Sequence, residues 1–322
     1  MNIHVRTLKI LLLAATLQLS ACVGLTVNQT QATLKFASAA TDLGTASSNE
    51  LTKMHDETIA MNIAMYRLPD LPTEYNPLNP KTQKREPIIV TEISNGEYNN
   101  LASRFAGNWY EVFSSGPQAM KAYGQALTAI INADNSAKVK QSTDSLAAAL
   151  KAIPKSPISS ATQSAVSALS AQLTEWALAS MKAHAIRTIV TKYDVDVATV
   201  CRLIGDNFVI AASGQHQPDN FAEDFQAVAQ TLAASSKTAM DLHSDDRLIR
   251  SDSLANWLTA QQDLNEVKTV FPAIAKSSGG CASANTALIQ ALSDDRLGLK
   301  DIEAFYSDGK QLQSSIKTLS SN

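Results

Sequence analysis

Aromatic residues make up 6% of this 322-residue chain, and it holds only three cysteines, ten prolines and twelve glycines. So few cysteines exclude a scaffold built on disulfides, and so few prolines and glycines exclude a loop-dominated β protein. Cation is not in excess. Lys and Arg number 27 against 30 Asp and Glu, a formal charge of -3, which excludes a nucleic-acid binder driven by counterion release. Beyond the first two dozen residues no charge-free run reaches the roughly 20 residues a membrane-spanning helix needs. What remains, 45% apolar and 18% charged, describes a folded body and neither a disordered nor a fibrous chain.

The N-terminus is the most informative stretch. Arg6 and Lys9 precede an apolar run from Ile10 to Leu17, and small residues follow around Ala21, the three regions of a secretory signal in order. The run is too short to persist as a transmembrane helix. At its end, Leu19-Ser20-Ala21-Cys22 resembles the lipobox of bacterial lipoproteins: an aliphatic residue, two small residues, then cysteine. The resemblance covers these 22 residues alone. It implies a diacylglyceryl group on the Cys22 thiol, cleavage just before that residue, and acylation of the new amino group. Stable anchoring takes two acyl chains, and the family's cysteine carries three. In Gram-negative lipoproteins an Asp after the cysteine retains the protein at the inner membrane; here Val23 stands there, which points to the outer membrane. Cleavage would remove Arg6 and Lys9 and no acidic residue, so the formal charge falls by two, from -3 to -5.

Removal of Cys22 from the count leaves Cys201 and Cys281, an even number in an oxidising compartment. Two readings stand: one disulfide closing a loop of about 80 residues, or two separate buried thiols.

Alanine is common, and apolar residues recur at threes and fours with no sustained alternation, so helix is expected throughout. A first helix is read from near Val27 to Leu68, with Phe36, Ala40, Leu43, Ser47, Leu51, Met54, Thr58, Met61, Met65 and Leu68 on its stripe and Lys53 and Asp56 off it. Half of the prolines lie between positions 69 and 87, marking a connecting segment over 69–95. Within it Ile88-Ile89-Val90 has the β-branched content of a strand but no obvious partner, so an extended strap is expected. Helix resumes after a capping box at Ser94-Asn95-Gly96-Glu97. A break is read at Ser114-Ser115-Gly116-Pro117, with a new helix from Pro117, and another helix covers about 136–152. A coiled-coil-like seam follows from Ser159 to Tyr193 through Val166, Leu169, Leu173, Trp176, Ser180, Ala183, Arg187 and Val190. Apolar positions recur across about 194–212, and further helices are read near 219–243, 251–275, 282–293 and 299–319, with Gly279-Gly280 as a flexible break. The pentapeptide Ser-Asp-Asp-Arg-Leu at 244–248 and 293–297 reads as turn and N-cap in both copies. The expected fold is all-α, an elongated bundle of long antiparallel helices with a proline-rich connecting segment. Residues 1–21 would be signal peptide, 22–193 the long-helix bundle, and 194–322 C-terminal helices in the same unit or a small subdomain.

Enzymatic signatures are missing: no Gly-x-Ser-x-Gly elbow, no phosphate-cradling loop, no dinucleotide-binding glycine pattern. No two histidines stand three or four apart, the spacing that sets two metal ligands on one helix face. His55-Asp56-Glu57 reads as a solvated face, because adjacent helical residues diverge by about 100°. His243 and Asp246 read as a helix junction more readily than as a metal or acid–base site. The aromatics Phe105, Trp109 and Phe113 form a core contact or, alternatively, the wall of a partner groove. No catalytic residue, metal site or cofactor is expected. The function these features imply is that of a non-catalytic, lipid-anchored envelope protein that contacts another envelope protein or itself. Two alternatives are a helical bundle that rearranges on membranes, as elongated helical pore-forming toxins do, and an envelope hydrolase.

Overall fold

A computed structural model of the chain describes residues 24–68, 74–75, 88–89, 108–153, 158–160, 163–165, 168–169, 177–210, 221–294 and 298–320. Among them the protein is a bundle of α-helices. The first, α1, spans Val27–Arg67, 41 residues and about 60 Å at 1.5 Å per residue. It starts where it does because Thr26 and Gln29 form a reciprocal cap. The Gln29 amide donates to Thr26 Oγ1 and the Thr26 amide to Gln29 Oε1, each at 3.1 Å. All ten positions of the expected stripe, from Phe36 to Leu68, are buried. An apolar period of 3.5 to 3.6 residues over 33 positions is a strong signal, and the helix follows it.

α2 spans Asn108–Asn132 and α3 spans Ser136–Ala152, the latter capped by the Asn135 side chain, which accepts from the Lys138 amide at 3.0 Å. α4 is Leu178–Phe208, α5 Phe221–Leu242, α6 Arg247–Ser293 and α7 Leu299–Ser320. The turn into α7 depends on Gly298, whose φ of +74° is a left-handed conformation and whose missing Cβ would collide with the Ala287 carbonyl oxygen.

Four expectations need correction. The break at Ser114 to Pro117 is absent, because α2 runs straight through it. Ser114 and Ser115 are buried, and a Cβ at Gly116 would lie 3.9 Å from Val200 and Ile204, so this turn is packed helix surface. The break at Gly279-Gly280 is absent too: α6 is one helix of 47 residues containing Pro272 and both glycines. A glycine in a helix costs about 1 kcal/mol relative to alanine. Burial of Ile274, Cys281, Ala284 and Leu288 on either side outweighs that cost. The expected seam from 159 to 193 is interrupted at Ala177, which is not helical, and α4 then continues past position 193 to Phe208. Finally, Ile88-Ile89 does have a strand partner. It pairs antiparallel with Glu74-Tyr75, Glu74 opposite Ile89 and Tyr75 opposite Ile88. The capping box at 94–97 lies outside the described residues.

Contacts group the chain into two units. The first comprises residues 1–41, 119–198 and 280–307. At its centre Phe36 of α1 meets the edge of Tyr123 of α2 at 5.8 Å and tilts against Phe305 of α7 at 5.5 Å. Tyr123 stacks on Tyr193 of α4 with centroids 5.1 Å apart. The buried Tyr123 hydroxyl donates to Asn285 Oδ1 of α6 at 2.8 Å, and Asn285 Nδ2 donates to Asp194 at 3.0 Å. Aromatic packing and a satisfied polar chain thus fix five helices together. Gly124 brings α1 and α2 close, since a Cβ there would lie 2.5 Å from the Ala37 carbonyl oxygen.

The second unit comprises residues 42–118, 199–279 and 308–322. Phe208 of α4 and Phe225 of α5 both pack on Phe271 of α6, at 5.3 and 6.0 Å. The buried Leu51, Met54 and Met61 continue the α1 stripe here. At its surface Asp42 of α1 accepts from Gln313 of α7 at 3.2 Å, and Lys276 of α6 pairs with Asp308 of α7 at 2.8 Å.

Candidate functional site

The sites expected from sequence fare differently. Cys22 and Phe105 lie outside the described residues. Trp109 is in α2, and Phe113, four positions on, is half-buried in the same helix. Cys201 and Cys281 are buried and disulfide-bonded, which decides between the two readings of that pair. Asp246 is an N-cap: its Oδ1 accepts from the amides of Leu248 and Ile249 at 2.9 and 3.1 Å. The Asp246 carboxylate thus satisfies two of the open amides at the start of α6. In the second copy of the pentapeptide, Ser293 ends α6, and residues 295–297 lie outside the described set. A surface depression of about 430 Å³ is lined by Lys140, Gln141, Asp144 and Ser145 on the solvent side of α3 and is open, not a cleft.

The polar feature of greatest chemical content was missed in the sequence. His55-Asp56-Glu57 does not remain together as a solvated face. His55 Nδ1 contacts Asp56 Oδ1 at 2.8 Å on the exposed side, whereas Glu57 turns inward. There it joins Glu50 and Lys53 from α1 and Asp263 and Glu266 from α6, all in the second unit. Glu50, Asp263 and Glu266 are buried, with relative exposures of 6, 1 and 5%. Glu57, Asp263 and Glu266 each offer one oxygen, and the three oxygens lie within 4.8 Å of one another. The Lys53 ammonium pairs with Glu266 Oε2 and stands 3.6 Å from Glu57 Oε1.

Local sequence explains the convergence. Glu50, Lys53 and Glu57 stand one position before Leu51, Met54 and Thr58 of the apolar stripe, so they form a charged row along its edge. On α6, Asp263 falls in a buried series with Ala260, Val267, Val270 and Ile274, at alternating steps of three and four. A carboxylate inside an apolar stripe, with a second carboxylate three residues later, was the available signal.

Four carboxyl groups beside one ammonium in a low-dielectric setting cannot all ionise cheaply. Burial pushes the Glu50 carboxyl up to about 9, with further push from its hydrogen bond to Glu266 and from that group's charge, against a pull down by Lys53. Glu57 is raised to about 8, by burial first and then by the charge of Asp263. Burial also raises Asp263, although its hydrogen bond with Glu57 and the Lys53 charge work the other way. Burial works against the Lys53 charge, but Glu266 outweighs it and Lys53 rises. Three buried oxygens, Glu50 Oε2, Glu57 Oε2 and Asp263 Oδ2, have no hydrogen-bond partner. This is an oxygen-rich, electron-donating pocket able to hold protons or a hard cation.

No known protein family, curated protein or solved structure matches this chain.

Proposed function

We propose that this is a lipid-anchored protein of the bacterial outer membrane, with a non-catalytic role in binding another envelope protein or a second copy of itself. The observation that carries the reading is the signal segment ending in Leu19-Ser20-Ala21-Cys22. The fold supports it at close range. A Cβ at Gly24 would lie 3.1 Å from Ala179 Cβ, so the chain already rests on the N-terminus of α4 two positions after Cys22. At no more than about 3.5 Å per residue, lipid on Cys22 would hold that end of the first unit within about 7 Å of the bilayer. Gln29 Nε2 donates to the carbonyl oxygens of Ala291 and Leu292, both at 3.1 Å, so the C-terminus of α6 is fastened to the same end.

The interaction role draws on exposed apolar side chains. Leu248, Leu254 and Leu258, all on the first three turns of α6, have relative exposures of 78, 47 and 54%. Leu254 and Leu258 are four apart and share a face, the pattern of a helix that packs against something further. Among the described residues no helix is long and apolar enough to cross a membrane, so the insertion alternative finds no carrier segment there.

The test has two arms. Cys22→Ser should release the protein from the membrane fraction and abolish incorporation of labelled palmitate. A photo-crosslinking amino acid at position 254 or 258 should give a discrete adduct in intact cells, whereas the same group at exposed Lys317 should not. Palmitate incorporation unchanged by Cys22→Ser refutes the anchor; the absence of any adduct at 254 and 258 refutes the interaction surface.

A further inference from the structure

We propose that Glu57, Asp263 and Glu266 form a binding site for one hard divalent cation of the Ca²⁺ or Mn²⁺ kind, which joins α1 to α6 in the second unit. The inference stands independently of the membrane anchor. Its first support is geometric. Oxygen ligands of such an ion lie at about 2.4 Å from it, so two on opposite sides are at most about 4.8 Å apart. The three carboxylates present one oxygen each within 4.8 Å of one another, three of the six to eight oxygens such an ion takes, with water left to supply the rest. The second support is independent of the clustering. Asp263 is 1% exposed, and although its carboxyl hydrogen-bonds with Glu57 inside the cluster, its Oδ2 has no hydrogen-bond partner, a costly state for a buried oxygen unless something accepts its lone pairs. Glu57 Oε2 is buried in the same condition.

Charge points the same way. A cation that displaces the proton held on Glu57 meets three ionised ligands and the Lys53 ammonium, a sum of two negative charges that a divalent ion cancels. The donor set is all carboxylate with neither His nor Cys, which disfavours Zn²⁺ or Cu²⁺ and suits hard cations. Lys53 is the competitor: its ammonium occupies Glu266 Oε2, and a bound cation must share that residue with it.

The experiment uses the full-length protein in detergent, stripped with EDTA and titrated with Mn²⁺ while the free-ion EPR signal is followed; Ca²⁺ is added in competition. The expected result is one Mn²⁺ per chain with Kd below about 10⁻⁴ M, displaced by Ca²⁺. Asp263→Asn, which keeps the shape and removes the charge, should weaken binding about 100-fold. Asp301→Asn, on α7 in the first unit, should leave it unchanged. Lys53→Met should tighten Mn²⁺ binding, an outcome that a purely structural ion pair does not produce. At a hundred times Kd, the cation should raise Tm of the wild type by about 4 °C and that of Asp263→Asn not at all. If Asp263→Asn fails to fold, Glu57→Gln takes its place. Wild-type binding weaker than about 10⁻³ M, or equal affinity in the wild type and the carboxylate variants, overturns the proposal.

Discussion

Glycine to alanine at three helical positions gives the most direct test of the packing, because the chemistry is constant and only the surroundings differ. The change gains about 1 kcal/mol of helix propensity wherever the methyl fits. At Gly279 a Cβ would meet nothing within 4 Å, so the gain is realised and the variant is more stable by about 0.5–1 kcal/mol. At Gly205 the obstacle is the Ser278 hydroxyl oxygen, 2.6 Å away, with Ser278 Cβ at 3.7 Å. A rotamer change clears it but breaks the 2.8 Å bond from that hydroxyl to Ala275, so gain and loss nearly cancel. At Gly124 the methyl would lie 2.5 Å from the Ala37 carbonyl oxygen and Thr41 Oγ1 and 2.8 Å from the Thr41 amide nitrogen. Backbone cannot rotate aside. α1 and α2 must part by almost 1 Å, and overpacking of this kind costs about 1–3 kcal/mol, more than propensity returns. The net loss is up to about 2 kcal/mol, or at most roughly 3 °C in Tm for a chain of this size. Paired thermal melts and urea titrations should order the variants 279 above wild type, 205 close to it and 124 below. A Gly124→Ala protein as stable as Gly279→Ala would refute the close approach of the two helices.

Three further outcomes are expected. In EDTA the protein should lose stability as pH rises from about 5 to 8. Glu50 and Glu57 have folded-state values near 9 and 8 against a usual 4.5, so across that window the folded state holds protons that the unfolded state has released. Each contributes a slope of at most about 1.4 kcal/mol per pH unit, and a urea midpoint that climbs with pH instead would contradict it; Glu50→Gln should flatten the dependence. Tyr123→Phe should cost about 1–2 kcal/mol by leaving Asn285 Oδ1 without its donor, and a neutral result in chemical denaturation would remove the hydrogen bond from the account of the first unit's core. Reduction of the Cys201–Cys281 disulfide reopens a loop of about 80 residues and should lower stability by roughly 4 kcal/mol, measured as the shift of the denaturation midpoint with and without dithiothreitol.

What the sequence made legible divides along physical lines. α1 was readable almost to the residue because ten successive stripe positions share one period and a proline follows. The breaks at Gly116-Pro117 and Gly279-Gly280 misled, since glycine and proline report local propensity and tertiary burial can exceed that by several kcal/mol. The carboxylate cluster stayed hidden for a different reason. Glu57 and Asp263 are 206 positions apart, and each alone resembles an ordinary helix charge. Only Asp263, an acid in the middle of an apolar stripe, carried a trace of the site.

Neither unit is a continuous piece of sequence: the first needs residues up to 307 and the second residues up to 322. Synthesis from the N-terminus therefore completes neither core until residues beyond 300 have been made. Phe36 is made 269 residues before Phe305, the ring it packs against. At about 5–20 residues per second the ribosome leaves it waiting for roughly 10–50 s. Throughout that interval the apolar face of α1 lacks its final covering, so the newborn chain depends on whatever holds it unfolded and unaggregated.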